Sequence, residues 1–343
     1  MKAMVLEGVV DLRQDREPLR LVELPEPEPG PGEVRLRVRV CGVCHTELDE
    51  IEGRLKLPRF PATLGHQVVG TVDALGAGVR GVAEGERLGV AWIHSACGAC
   101  EHCRRGEENL CATFQATGRD APGGYAEKLV VPADFTHALP SQLSDEAAAP
   151  LLCAGAIGHR SLALCDLADG DRLGLTGFGA SGHLVLKLAR YLYPSTEIYV
   201  FARDPVVRDF ARSLGATWSG DTQEAPPVKL RAIIDTTPAW TPVVAALAHL
   251  QPGGRLVVNA IRKEAADKAA LLELDYPRHL WLEKELKTVA NVTRADVRDF
   301  LSVAAAAGIQ PKTEVYALED ANAALLALKE KPTRGALVLR VSG

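Results

Sequence analysis

Four thiols stand within fifteen residues at Cys97, Cys100, Cys103 and Cys111, in a loop that also carries Glu101, His102, Arg104 and Arg105. Cysteines in so polar a run are not packing residues, and at this spacing thiolates suit a closed tetrahedral zinc site that pins a lobe together. An iron–sulfur cluster would use the same ligand type, but nothing else in the sequence asks for electron transfer. A second set is dispersed: Cys44 in Cys41-Gly42-Val43-Cys44-His45-Thr46-Glu47, His66 in Gly65-His66-Gln67, and Cys153 in Leu152-Cys153-Ala154-Gly155. Spacing alone does not join these three. Each is compatible with ordinary burial, and Cys41 with Cys44 reads equally as a CxxC redox pair. The third feature is Gly177-Phe178-Gly179-Ala180-Ser181-Gly182, a GxGxxG run after an apolar strand pattern and before an apolar helix pattern. In that setting Gly177, Gly179 and Gly182 permit a tight turn, and the backbone N–H groups around Ala180 and Ser181 are expected to face the pyrophosphate of a dinucleotide.

The strand after this loop is expected to end at Ala202, followed by Arg203. A carboxylate there would grip a ribose 2′-hydroxyl, whereas its absence removes repulsion of a 2′-phosphate and a guanidinium can pair with that phosphate. NADP(H) is therefore expected over NAD(H). Asp204 is the competing reading: in a strand one or two residues longer it takes the carboxylate's place.

The elements that must position these groups divide in two. From Arg20 to about Val131 short alternating runs such as Val34-Arg35-Leu36-Arg37-Val38-Arg39-Val40, punctuated by Gly and Pro, predict a β-rich domain. Ser144-Asp145-Glu146 then caps an Ala-rich helical pattern, and a hinge is expected near Gly155. Beyond it strands at Arg172 to Thr176, Glu197 to Ala202, Ala232 to Thr236, Arg255 to Ala260 and Thr288 to Val292 alternate with helical patterns, which predicts a parallel doubly wound sheet. A helix, a strand near Glu314 to Tyr316, a helix from Glu319 to Lys329 and a strand from Ala336 to Val341 close the chain.

The chain's 343 residues suit about two domains. With 44 acidic and 39 basic side chains the net charge is −5, which opposes a nucleic-acid partner. The N-terminus lacks the unbroken apolar core of a signal peptide, and Ala147 to Gly158 is too short to span a bilayer, which takes about 20 residues. A cytoplasmic protein with no membrane partner is expected, and in that reducing compartment cysteines serve metal or reactivity more often than bridges.

These motifs together resemble the zinc-dependent alcohol dehydrogenases of the medium-chain dehydrogenase/reductase superfamily. The likeness runs over essentially the whole chain: Cys41 to Leu48, Gly65-His66-Gln67-Val68-Val69-Gly70, the four-cysteine lobe, Leu152 to Gly155, the glycine loop and Arg334-Gly335-Ala336-Leu337-Val338-Leu339. It implies an α/β fold in which a Rossmann doubly wound parallel sheet, residues 155–292, is inserted into a GroES-like β-rich catalytic domain, residues 1–154 and 293–343, with a structural zinc lobe at about 92–112. It also implies two zinc ions per chain. Cys44, His66 and Cys153 would hold the catalytic one, the Cys2His set known for alcohol dehydrogenases, with a fourth position open to water or substrate. Cys97, Cys100, Cys103 and Cys111 would hold the structural one, leaving Cys41 and Cys165 as core.

By the same resemblance Thr46 accepts the alcohol's proton, His45 faces the cofactor pyrophosphate, and Leu55 and Trp92 wall a pocket suited to primary alcohols and aldehydes. Two positions depart from the family pattern. Gln67 stands where Glu is usual and supplies no charge, and Asp49 stands where many relatives carry the histidine that ends the proton relay. Either Asp49 or water reaching the ribose directly would complete it. The expected activity is reversible hydride transfer between a primary alcohol or aldehyde and NADP(H) or NAD(H), in a homodimer or homotetramer. A polyol or secondary-alcohol dehydrogenase and a catalytically silent NADP-binding zinc protein are the alternatives.

Overall fold

The structure, a computed structural model, describes residues 1–330 and 335–342, so Arg334 of the closing motif lies outside the described residues. The chain forms two compact units, Met1–Ala156 with Val292–Gly343, and Ile157–Asn291.

The first unit is built around the long strand Glu33–Val43. Its Val34, Leu36, Val38 and Val40 are buried while Arg35, Arg37 and Arg39 point outward, the period-two pattern of a half-covered strand. This strand pairs antiparallel with Val68–Leu75 on one side and with Ala336–Arg340 on the other. The closing segment of the chain thus completes a sheet begun near its start, with Leu339 opposite Cys41. Thr313–Ala317 extends the sheet beyond the closing strand, and Arg87–Val90 with Thr136–Ala138 extends it at the other edge. Lys128–Pro132 also pairs with Glu33–Val43. Lys2–Leu6, Leu19–Glu23 and Ala62–Thr63 make a separate three-stranded sheet, and the core between them is mainly aliphatic, with Leu6, Leu36, Ile51, Leu64 and Leu129 fully buried around the Tyr125 ring.

The second unit is a six-stranded parallel sheet in the order Trp218–Gly220, Glu197–Phe201, Arg172–Thr176, Leu230–Asp235, Leu250–Val258, Glu285–Thr288. Numbered along the chain this is 3-2-1-4-5-6, the doubly wound Rossmann order. The strand Glu285–Thr288 replaces the one expected at Thr288 to Val292. It is an exposed edge strand of sequence Glu-Leu-Lys-Thr, with no apolar alternation to betray it, and the apolar residues after it lead into Asn291 at φ 60°. Trp218–Gly220 was not anticipated either, being three residues long at the opposite edge.

Ser144 caps the helix Asp145–Pro150, its hydroxyl accepting the Ala147 N–H at 3.2 Å. The chain then widens into a π-helical turn, Leu151–Gly155, and continues as the helix Ala156–Leu164. The helical run Asp145–Leu164 is thereby longer than the apolar segment read from the sequence and has the length and composition to cross a membrane, but most of it is buried in protein. The π turn is a local over-widening of the kind that re-aims a side chain. The residue at its centre is Cys153.

Candidate active site and metal centres

Cys44 and His66 are brought together by the register of one antiparallel pair. Cys41 lies opposite Val68, and the Gly42 N–H donates to the Gln67 carbonyl at 2.9 Å, so the chain leaves the ladder at Cys44 beside the point where it enters from His66. Gly65 makes this approach possible: at φ 95° it adopts a conformation that L side chains rarely reach, and a Cβ there would strike the Tyr125 ring and sit 2.8 Å from Cys41 Sγ. Cys153 arrives from 87 residues further along, on the π turn, whose Leu152 packs onto Gly89 of the strand Arg87–Val90.

The ligand atoms of Cys44, His66 and Cys153 lie within 4.8 Å of one another, and His66 Nε2 is 3.3 Å from Cys153 Sγ. Tetrahedral zinc with Zn–S near 2.3 Å and Zn–N near 2.05 Å sets that edge at about 3.6 Å. The hydrogen bond between the two thiols holds Cys44 well below its ordinary pKa range, and the same bond, followed by burial, pushes Cys153 well above it.

Glu47 supports this set, and the sequence reading gave it no role. Its Oε1 is 2.6 Å from His66 Nδ1, and its Oε2 accepts the Cys44 N–H at 2.7 Å. Both Glu47 and His66 are buried. A carboxylate on the far nitrogen of a ligating histidine fixes the tautomer that leaves Nε2 free to bind metal. The helix His45–Ile51 begins here with Cys44 as N-cap and Glu47 at the third helical position, a reciprocal capping arrangement. The Cys-x-x-Glu spacing was the signal that could have found it.

Thr46 lies in the first turn of that helix with Oγ1 3.6 Å from Cys44 Sγ, while His45 is exposed. Asp49, one helical turn beyond Thr46, is buried and accepts from Arg54 Nε at 2.6 Å. Gln67 is buried too, with its amide oxygen against Gly42. Trp92 stacks at a tilt on Phe114, ring centroids 5.0 Å apart, and the half-buried Leu55 donates its N–H to the Asp49 carbonyl.

Cys97, Cys100, Cys103 and Cys111 also converge within 4.8 Å. Cys97 and Cys103 are 3.9 Å apart at sulfur, close to the edge of about 3.8 Å that tetrahedral zinc thiolates demand. Backbone N–H groups aim at the sulfurs: Cys100 and Ala99 at Cys97 Sγ, at 3.3 and 3.4 Å, and Cys97 at Cys111 Sγ, at 3.5 Å. That last N–H, with Thr113, draws the Cys111 thiol down to about 6, whereas burial and then Cys100 push Cys103 up to about 12. Cys41 and Cys165 are fully buried and join neither cluster.

In the second unit Gly177 has φ 79°, and a Cβ there would lie 2.6 Å from Thr236 Oγ1. Gly179 precedes the helix Ala180–Leu192, and a Cβ on Gly182 would come within 2.9 Å of the Gly177 carbonyl. Gly177 and Gly182 are therefore sterically required by the strand–turn–helix at this point, whereas a Cβ on Gly179 would meet nothing within 4 Å. The next strand ends at Phe201, and Ala202 follows it buried, with Arg203 exposed. Asp204 is engaged elsewhere: it caps the helix Pro205–Ser213, Oδ1 accepting the Val206 N–H at 2.8 Å. Arg208, on that helix, donates from Nη1 to the Ala202 carbonyl at 3.2 Å.

Residues 30–141 match the alcohol dehydrogenase GroES-like domain. Over 306 residues the chain is 43% identical to a probable alcohol dehydrogenase, AdhA, of Mycobacterium tuberculosis, covering 88% of this chain and 86% of that one. It is 32% identical over 317 residues to probable cinnamyl alcohol dehydrogenase 8A of Oryza sativa subsp. japonica, with the same coverages, 88% and 86%. Among solved structures it resembles a thermostable alcohol dehydrogenase from Pyrobaculum aerophilum at TM-score 0.88 and 26% identity, over 99% of both chains. A second structure of a thermostable alcohol dehydrogenase from that organism, with cobalt and zinc bound, matches at TM-score 0.87, again over 99% of both chains.

Proposed function

This chain belongs to the zinc-type alcohol dehydrogenases of the medium-chain dehydrogenase/reductase superfamily, and from that premise we propose that it interconverts primary alcohols and aldehydes with NADP(H) as the preferred cofactor. It is an NAD(P)-dependent alcohol dehydrogenase acting on small-molecule alcohols or aldehydes. The observation that carries the assignment to particular residues is the convergence of Cys44, His66 and Cys153 within 4.8 Å, with Glu47 on the far side of His66.

These three residues would hold the catalytic zinc, which supplies Lewis acidity that lowers the pKa of an alcohol hydroxyl. Two thiolates and a neutral imidazole nearly cancel the ion's charge, so the residues set how strongly it polarises. The Thr46 hydroxyl, beside Cys44, accepts the alcohol proton. Asp49 lies three residues on along the same short helix, hence on the same face, where it receives the proton in turn, and Arg54 holds its carboxylate in place. The four-cysteine cluster would hold a second, structural zinc, giving two ions per chain.

Support for NADP(H) comes from what surrounds the end of the strand Glu197–Phe201. Ala202 offers no carboxylate, Asp204 is committed to its helix cap, and Arg203 and Arg208 provide cations for a 2′-phosphate. Leu55 and the bulk of Trp92 favour unbranched primary substrates. His45 would face the cofactor pyrophosphate, as would the backbone of Gly177, Gly179, Ala180, Ser181 and Gly182. Six cysteines grouped as metal donors rather than paired in disulfides support a cytoplasmic location, and a homodimer or homotetramer is the assembly to look for by light scattering.

The deciding experiment is a panel of primary, secondary and polyol substrates assayed with both cofactors, alongside metal analysis. Higher kcat/KM for primary alcohols with NADP(H), and two zincs per chain, are expected. A clear preference for NAD(H) overturns the cofactor assignment, and faster turnover of secondary alcohols or polyols overturns the substrate class. The silent alternative is not favoured, since both donor sets assemble and the similar chains are alcohol dehydrogenases.

A further inference from the structure

The six-stranded sheet of the second unit reverses its strand order between Arg172–Thr176 and Leu230–Asp235, and a dinucleotide binds such a sheet in the crevice beyond the carboxyl ends of those two strands. The glycine loop leaves the first strand and forms one wall of that crevice. The turn at residues 235–239 leaves the second strand and forms the other. Thr236 joins the two: its N–H and its hydroxyl both donate to the Thr176 carbonyl, at 2.9 and 3.1 Å, and its Oγ1 lies where a Cβ on Gly177 would have to go. The shape of the glycine loop therefore depends on where this turn sits.

Buried charge holds the turn in place. Asp235 is fully buried, its Oδ1 accepting the Thr237 N–H at 3.2 Å and the Thr237 hydroxyl at 2.8 Å. Lys263 comes from the segment after the neighbouring strand Leu250–Val258, and its side chain is only 9% exposed. Its Nζ donates to Asp235 Oδ2, to the Thr237 carbonyl at 2.7 Å and to the Ala239 carbonyl at 3.0 Å. An ammonium has three protons, and residues 235–239 engage all of them. Further bonds tie the same two segments: the Glu264 N–H donates to the Pro238 carbonyl at 2.7 Å, and Asp267 Oδ2 accepts the Trp240 and Thr241 N–H groups at 2.9 and 2.8 Å. A buried ion pair contributes little net stability, since apolar residues of similar volume often do as well. What this one provides is a fixed position for the turn.

We propose that Lys263 is a positioning residue for dinucleotide binding: by tying residues 235–239 to the segment after the next strand, it holds Thr236 against Gly177 and keeps the glycine loop in the form that receives a pyrophosphate. It acts through the turn. The inference rests on the dinucleotide reading of the glycine loop given above. Because NADPH, NADH and ADP-ribose share the pyrophosphate, loss of the tether weakens all three by a similar factor.

Calorimetric titration of the full-length, zinc-loaded protein with NADPH, NADH and ADP-ribose tests this. Lys263→Met is expected to raise each Kd by about tenfold or more, the cost of having to order the turn on binding. Asp235→Asn combined with Lys263→Met removes the carboxylate that the single substitution leaves buried and unpaired, so the double variant is expected to regain melting temperature without regaining affinity. A purely structural role makes affinity recover in step with melting temperature, and that result overturns the proposal, as does an unchanged Kd in Lys263→Met. Weakening confined to NADPH and NADH, with ADP-ribose unaffected, also overturns it, because the effect would then lie at the nicotinamide. A parent protein that binds none of the three removes the dinucleotide reading itself, a failure distinct from variants that bind as the parent does.

Discussion

Glu47 and His66 meet at 2.6 Å, carboxylate to Nδ1, and the other oxygen of the same carboxylate accepts the Cys44 N–H at 2.7 Å. One buried side chain thus orients the ring of one proposed ligand and the backbone of another. Glu47→Gln is expected to weaken zinc at this site by about 10–100-fold, the usual effect of losing such a partner, and to lower kcat/KM in step. Competition with a chromogenic chelator reads the affinity. The zinc proposed for the four-cysteine lobe serves as the internal control, and an unchanged pair of affinities would remove Glu47 from the site.

Cys111→Ser separates the two proposed metals. Cys111 is the buried member of its cluster, and its thiol is drawn down to about 6 by N–H and hydroxyl donors. The variant should contain one zinc per chain instead of two and unfold at a lower temperature. At temperatures where it remains folded, turnover should change by no more than about threefold. Loss of both zincs would mean that the sites are not independent.

Asp49→Asn keeps the shape of the proposed relay and removes its charge. Buried and held by Arg54, Asp49 has little freedom to be replaced by a neighbour. Turnover should fall by about a hundredfold, the lower end for loss of an acid–base group, with a changed pH–rate profile. Thr46→Val should cost at least as much. A profile that is unaltered in Asp49→Asn assigns the last step to water instead.

Acid should weaken the second unit through His249. This residue is buried, stacked on Phe201 at 5.6 Å, and held down to about 4 by burial and then by Lys229, Arg278 and Lys284. The unfolded chain takes up this proton near pH 6.5 and the folded one only near 4, so stability is intact above pH 6.5 and falls as the pH drops toward 4. After solvent screening the loss is about 1–2 kcal/mol. Urea titrations at pH 7 and 4.5 should show a smaller acid loss in His249→Phe than in the parent; equal losses would refute the account.

What the sequence determined by itself was local. The spacing of Cys97, Cys100, Cys103 and Cys111 brings four sulfurs together through one short loop, and the glycines of Gly177 to Gly182 mark a turn whose demands are met by its immediate neighbours. The βα alternation likewise predicted the parallel sheet, apart from its two short or polar edges. More was legible than was read: Asp204 before Pro205 is a helix-start signature that already commits that carboxylate to a cap, and Cys44-x-x-Glu47 is a capping spacing. The three-donor site was different. Resemblance to a family proposed the trio, but no spacing could, because His66 and Cys153 are 87 residues apart. Sheet register, a positive-φ glycine and a π turn decide that those atoms meet, and each depends on contacts between distant parts of the chain.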